Sequence, residues 1–299
     1  MSTFKLDKDI VALVYSNHAW GNRKEADKNK IQTKMDKKML KTTKRLVDSV
    51  EYKTIISFQN ETKRWIVKRS VPSFFQDGVF LFRASAVREV EEYLNERKEE
   101  LNELVDKFLK VYPKQVEAAI PLLDDQFKKS DYPTSIYLRN AFAIEHRWVT
   151  FGIPKTLPQD IYKTEQVKAE KLWAEAAQQI TLSLRIAFKK LIEHAVERLS
   201  VSKGQSPKTF KDSMINNINE FIDTFKNKNI TNDTELAELI DKAKKVLSGV
   251  DGNDLRYDTD IRIDVAKNFA QIEKKLDSMI INKPTRKFSI KRKTLKEDK

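Results

Sequence analysis

The chain has 299 residues, 40% of them hydrophobic and 34% charged, and 57 Lys and Arg against 44 Asp and Glu leave a formal net charge of +13. With 6 Gly and 8 Pro it lacks the turn chemistry of an immunoglobulin-like sandwich, a small barrel or a glycine-rich phosphate cradle. Zero Cys removes thiol nucleophiles, thiolate metal sites and disulfides together.

Ile10-Val11-Ala12-Leu13-Val14-Tyr15 is short and rich in β-branched residues, which predicts a buried strand, and Trp20-Gly21-Asn22 then turns the chain. From about 28 to 50, Ile31, Met35, Met39, Leu46 and Val50 recur at a spacing of three to four, which predicts a helix. Tyr52 to Lys68 is open between helix and strand, because short apolar runs cannot be separated by period. Pro72 and Asp77-Gly78 end it, and Val79-Phe80-Leu81-Phe82 reads as a second strand.

After Ser85, Val87, Val90, Leu94, Leu101, Leu104, Phe108 and Val111 form an apolar seam with a glutamate-rich outer face, interrupted only by Arg97. Such a seam needs another helix to lie against. Tyr112-Pro113 is expected to break it, and Ala141 to Phe151 alternates as a third strand able to join the first two in one small sheet.

Ile153-Pro154 and Leu157-Pro158 mark a linker, beyond which the signal is helical throughout. Trp173 to Leu199 carries a second long seam, and Ser206-Pro207 reads as a helix start ahead of Met214, Ile218, Phe221 and Phe225. Asn232-Asp233-Thr234-Glu235 offers a capping box for a helix closed by Ser248-Gly249, and Ile261 to Met279 makes the last helix. The expectation is a mainly α protein, a long-helix bundle with a small antiparallel β-sheet in the N-terminal half. It divides into an α+β domain with a long helical hairpin (1–155), a helical region (156–282) and a disordered basic tail (283–299).

Charge is unevenly placed. Residues 21–70 hold 15 Lys and Arg against 6 Asp and Glu, and residues 283–299 hold 8 against 2, so nearly all the positive excess sits in two segments. Lys30, Lys34, Lys37, Lys41 and Lys44 step by four and three, which puts them on one face if the segment is helical. An ammonium row at that pitch can neutralise several phosphates, and Trp20 and Trp65 are candidates for stacking on bases. The same row also fits a solvated helix face, or contact with an acidic protein or an anionic membrane surface. In the tail, Arg286, Lys287, Lys291, Arg292 and Lys293 are the matching candidates for nucleic-acid contact.

Of the three histidines, His18, His146 and His194, no two have metal-ligand spacing. Glu145 and His146 are neighbours in chain and so point different ways, while His194 shares a helix face with Glu197. Ser200-Val201-Ser202-Lys203 has a serine-x-x-lysine pattern without its partner motifs and reads as a loop. Asp251-Gly252-Asn253-Asp254 with Asp258 and Asp260 misses the calcium-loop register and reads as a loop and helix cap. Asp124-Asp125 reads as a helix end. This census points to a non-enzyme with no catalytic residue, no metal and no cofactor. No run approaches the roughly 20 apolar residues of a membrane span, so a cytoplasmic location without membrane contact is expected, in the host cytoplasm if the chain is phage-encoded.

Four landmarks together carry a resemblance. They are the strand ending in Trp20-Gly21; Phe80-Leu81-Phe82-Arg83-Ala84-Ser85 feeding the glutamate-rich helix; Arg139-Asn140-Ala141-Phe142 before the alternating stretch; and the long helix after Pro158. Over about residues 8–200 the chain resembles a bacterial and phage domain family of unknown function, often encoded beside MoxR-type ATPases and von Willebrand A-domain proteins. The resemblance brings no functional residues. It implies a protein partner, an assembly working with a ring ATPase. The expected function is a non-enzymatic interaction or adaptor protein. The alternative is a nonspecific DNA- or RNA-binding protein using the basic helix face and the tail.

Overall fold

β1 (Ile10–His18), which opens on the β-branched run Ile10–Tyr15, pairs on both sides in the sheet of the N-terminal half of the molecule. The structure is a computed structural model and describes residues 9–73, 77–150, 156–200 and 211–281. β1 pairs antiparallel with β5 (Val79–Arg83) on one side and β6 (Ala143–Val149) on the other, while the two-residue β4 (Val71–Pro72) extends the sheet beyond β5. All three predicted strands are therefore present and pair as expected. Residues directly opposite share a face, so Leu13 lies between Phe80 and Trp148, and Tyr15 sits beside His146. At the turn into β5, Gly78 has φ +80° and approaches the Tyr15 carbonyl so closely that an added Cβ would lie 3.2 Å from it.

Leu13, Tyr15, Phe80 and Phe82 belong to one apolar core with Ile55, Phe58 and Ile66 of α1 (Val50–Arg69) and with Leu94, Leu101 and Phe108 of α2 (Val87–Leu123). The undecided segment 52–68 is thus helix. Ser49 starts it by accepting from the Tyr52 N–H, with Glu51 in the positive first turn. The interruption at Arg97 is a contact between helices: its guanidinium lies 3.4 Å from the Phe58 ring centroid and its Nε donates to Thr62 Oγ1 at 3.0 Å.

Two expectations fail in this region. The helix expected from 28 to 50 is absent. Single 3-10 turns at Lys28–Lys30 and Lys37–Met39 lie between β2 (Arg23–Glu25) and β3 (Thr43–Arg45), which form their own two-stranded ribbon. Of the expected apolar seam Leu46 enters the core, but Met35 and Met39 are 61% and 81% exposed, and a short helix without a packed face does not hold in water. Asp27 and Asp36 instead cap the two short turns. The break at Tyr112-Pro113 is also absent, and α2 runs on through Pro113 and Pro121. Tyr112 explains the continuity. It is buried among Trp20 and Phe108, and its hydroxyl donates to the Pro133 carbonyl at 3.0 Å, which offsets the backbone bond that proline forfeits. The helix ends where Asp124 takes φ 45°, as expected of Asp124-Asp125.

After the short α3 (Ser135–Ala141) and β6, the rest is helical: α4 (Gln159–Leu199), α5 (Ser213–Lys228), α6 (Thr234–Val246), α7 (Asp254–Tyr257) and α8 (Thr259–Ile281). The chain forms two compact units, Leu6–Glu170 and one built on Lys171–Lys299, and the division falls inside α4. Ser206-Pro207 lies outside the described residues. In the second unit, Ile180, Leu184, Phe188 and Ile192 of α4 are buried, with Phe188 stacked on Phe221 of α5. Asp233 caps α6, and Gly249 at φ +77° follows its end. The acidic stretch near 251–260 caps helices: Asp251 accepts from the N–H groups of Asn253 and Asp254, and Asp258 from those of Asp260 and Ile261. The protein is mainly α, with eight helices among the described residues and a small antiparallel sheet in the N-terminal half.

Candidate functional site

The basic segment leaves the core at Trp20 and re-enters it at Leu46, and both its base and its middle are clasped by amides. At the base, Asn22 donates to the Val47 carbonyl at 2.7 Å and accepts from the Val47 N–H at 2.8 Å. Further out, Gln126 does the same to Asp27, accepting from its N–H at 2.9 Å and donating to its carbonyl at 3.0 Å. Tyr132 adds a third tie, its hydroxyl donating to the Leu46 carbonyl at 2.9 Å. The excursion is thereby fixed to the turn that follows α2.

This docking uses up part of the lysine row. Lys44 is buried, pairs with Asp131 at 2.7 Å and donates to the Gln126 carbonyl. Lys30 donates to the Asp125 carbonyl at 2.9 Å and pairs with its carboxylate at 3.2 Å. Lys37 donates to the Asn29 carbonyl at 2.8 Å. Lys34 and Lys41 are exposed, with no carboxylate partner among the described residues. The five lysines do not share a helix face, because the segment that carries them is not a helix. Arg286, Lys287, Lys291, Arg292 and Lys293 lie outside the described residues.

The two tryptophans proposed for stacking are engaged internally. Trp20 is buried edge-on to Tyr52 and Tyr112, and its carbonyl accepts from the Tyr52 hydroxyl at 2.8 Å. Trp65 stacks on Tyr93 at 3.8 Å, with Arg69 4.3 Å from its ring. Burial pushes up the hydroxyl pKa of Tyr52 and of Tyr93.

The ribbon has an unusual register. Arg23 stands opposite Arg45 and Lys24 opposite Lys44, so like charges face each other twice. On the β3 side both are compensated, Lys44 by Asp131 and Arg45 by Asp48 at 3.1 Å. Asp48 also takes Lys53 at 2.7 Å, whose hydrogen bond holds its carboxyl below the usual range. On the β2 side, Arg23 and Lys24 are exposed and have no carboxylate partner among the described residues. They line a cleft of about 770 Å³ together with His18, Glu145 and the α3 residues Tyr137 and Asn140.

The histidines behave as separate groups. Glu145 turns to His18, at 3.3 Å, while its neighbour His146 turns inward to Glu91 at 2.9 Å. Trp148 Nε1 donates to the same Glu91 oxygen at 2.9 Å, and this bond, with His146 beside it, holds the Glu91 carboxyl below its ordinary range. His194 is exposed on α4. Among the described residues no three His, Asp or Glu side chains cluster as a metal site, and no helix is long and apolar enough to cross a membrane. Sequence reasoning missed Asn22, Gln126 and Asp131, since a single amide or carboxylate in a turn carries no periodic signal. In comparisons with known proteins, the chain matches no family model, no curated protein and no solved structure.

Proposed function

We propose that this protein is a non-enzymatic interaction protein, and that the outer part of its basic excursion docks an acidic protein partner. The observation that carries the reading is the composition of that surface. Met39, 81% exposed, is among the most exposed large apolar side chains of the described residues, Met35 beside it is 61% exposed, and Lys34, Lys38 and Lys41 surround them in sequence without carboxylate partners among the described residues. Thioethers adapt to irregular protein surfaces and are enriched at interfaces, whereas a phosphate backbone has no use for them. Unpaired lysines around them speed encounter with an acidic surface and set its orientation. Ile120 and Leu122, exposed on the last turn of α2, add apolar area beside the turn to which the excursion is tied.

The partner class to test first is the one implied by the family resemblance, a cytoplasmic ring ATPase of the MoxR type. Purified full-length protein is titrated against that ATPase by calorimetry near physiological salt. Binding that falls at least about tenfold in M35E/M39E, and that weakens with salt in the wild type but less in K34E/K41E, supports the reading. Binding unchanged in both variants refutes it. The nucleic-acid alternative loses its helix face, since the segment that carries the lysine row is not a helix, and its tail cations lie outside the described residues.

A further inference from the structure

We propose that the cleft walled by β2 and α3 binds a nucleotide, with one phosphate on Arg23, a second on Lys24 and its base on Tyr137. This site uses residues other than those of the docking surface and stands independently of it.

The argument begins with the ribbon. Strands of three residues are marginal on their own, and like charges directly opposite weaken them further. Arg23 opposite Arg45 and Lys24 opposite Lys44 do this twice in succession. A protein relieves such a conflict with carboxylates, and here the relief is one-sided: Asp48 and Asp131 serve β3 alone. The charges of β2 are left for something outside the chain.

Of the carboxylates that line the cleft, Asp131 pairs with Lys44 and Glu145 lies 3.3 Å from His18, so Arg23 and Lys24 are its cations without a carboxylate partner among the described residues. Its volume of about 770 Å³ is within the range of organic-ligand sites. α3 contributes Tyr137, 61% exposed, and Asn140, and neither side chain has a hydrogen-bond partner among the described residues. An aromatic face left to solvent next to two unpaired cations and a free amide is the set a nucleotide uses: stacking for the base, charge for the phosphate, an amide for a base edge. A simple anion would use the cations and leave Tyr137 idle.

The nucleotide is either free or one unit of a single strand, and the experiment separates the two. Full-length protein is titrated with ATP, with inorganic phosphate, and with labelled single-stranded DNA of about 12 nucleotides, between about 50 and 200 mM salt. We expect R23A/K24A to weaken binding at least about tenfold and to lower the salt slope for the strand by about 1.4, two phosphate contacts at roughly 0.7 each. Y137A should weaken it about tenfold and Y137F should restore it, since the stacking face and not the hydroxyl is used. ATP binding with the same residue dependence assigns a free nucleotide, and binding of the strand alone assigns a single strand. K34E/K41E should leave either unchanged, which separates this site from protein docking. Absence of binding to both ATP and the strand overturns the proposal. So does binding indifferent to R23A/K24A and Y137A in variants whose circular dichroism and melting match wild type, and so does phosphate binding as tightly as ATP with Y137A silent.

Discussion

Arg185 offers the most quantitative test of the helical unit. Its side chain and that of Asp233 are almost wholly buried, and they meet in a two-pronged pair, Nε to Oδ2 at 2.6 Å and Nη2 to Oδ1 at 2.8 Å. Glu235 takes a further bond at 2.8 Å and the Met279 carbonyl another at 3.3 Å, so one guanidinium ties α4 to the start of α6 and the end of α8. Burial works against the charge, but Asp233 and then Glu235 outweigh it and hold the guanidinium above its ordinary pKa. Arg185→Met removes the cation and strands a buried carboxylate, at a cost of about 3–5 kcal/mol. Asp233→Asn added to it removes the stranded charge while keeping an oxygen for the α6 cap, and should recover more than half of the loss. Glu235→Ala should cost under about 1 kcal/mol, because that side chain is 67% exposed. Urea unfolding followed by circular dichroism reads all three. With a slope of about 1–3 kcal/mol/M, the single Arg185 variant should lower the midpoint by roughly 1 M or more. A loss below about 1 kcal/mol, or a double variant no better than the single one, would refute the claim that Asp233 depends on Arg185 for its charge.

Three other outcomes are expected. Asn22→Ala leaves the buried N–H and carbonyl of Val47 without partners, so it should cost about 2–3 kcal/mol and lower the melting temperature by roughly 5–10 °C; a drop below about 2 °C would contradict the clasp. Lys24→Thr removes one of the opposed charges and should raise stability by a few tenths of a kcal/mol, a gain that disappears near 1 M salt in paired urea titrations. Glu91 has a folded pKa below its ordinary 4.5, so its charge stabilises the fold above that pH and the contribution is lost as the pH falls through the lower folded value. Wild type and Glu91→Gln should therefore differ in melting temperature at pH 7 and converge in acid, by a modest amount because the carboxylate is 41% exposed.

Most of the fold was legible because its strongest signals are periodic and its core obeys them. β1, β5 and β6 each show a β-forming or alternating run, and the seams of α2 and α8 bury most of the residues their spacing marks, whereas in α4 Phe188 and Ile192 are buried where Ala187 and Leu191 were marked. Segment 52–68 was ambiguous for a physical reason: α1 buries Gln59 and Thr62 among its apolar positions. Those polar groups are satisfied inside, Gln59 by the carbonyls of His18 and Ala143 and Thr62 by Arg97 and the Phe58 carbonyl, and no hydrophobic pattern registers that. Pro113 misled for a related reason. A local rule about helix breaking was overridden by the contacts of Tyr112 with residues far along the chain.

The lysine row shows where spacing ceases to be evidence. In a segment so rich in lysine, steps of three and four arise without any helix, and the same residues are consistent with a turn, a ribbon or a coil. What decides is whether the companion apolar stripe has a core to enter. Met35 and Met39 have none, and the aspartates at 27 and 36 close single turns before a second one can form. Once the segment is a ribbon, the informative quantity changes from the pitch of like residues to the balance across the strands. That balance depends on Asp48 and Asp131, one just beyond the ribbon and the other some 85 positions further on. It leaves Arg23 and Lys24, which no periodicity had singled out, as the uncompensated pair. Charge that the fold has not answered is a sharper guide to a binding site than charge that is merely abundant, because holding it there costs stability in the free protein.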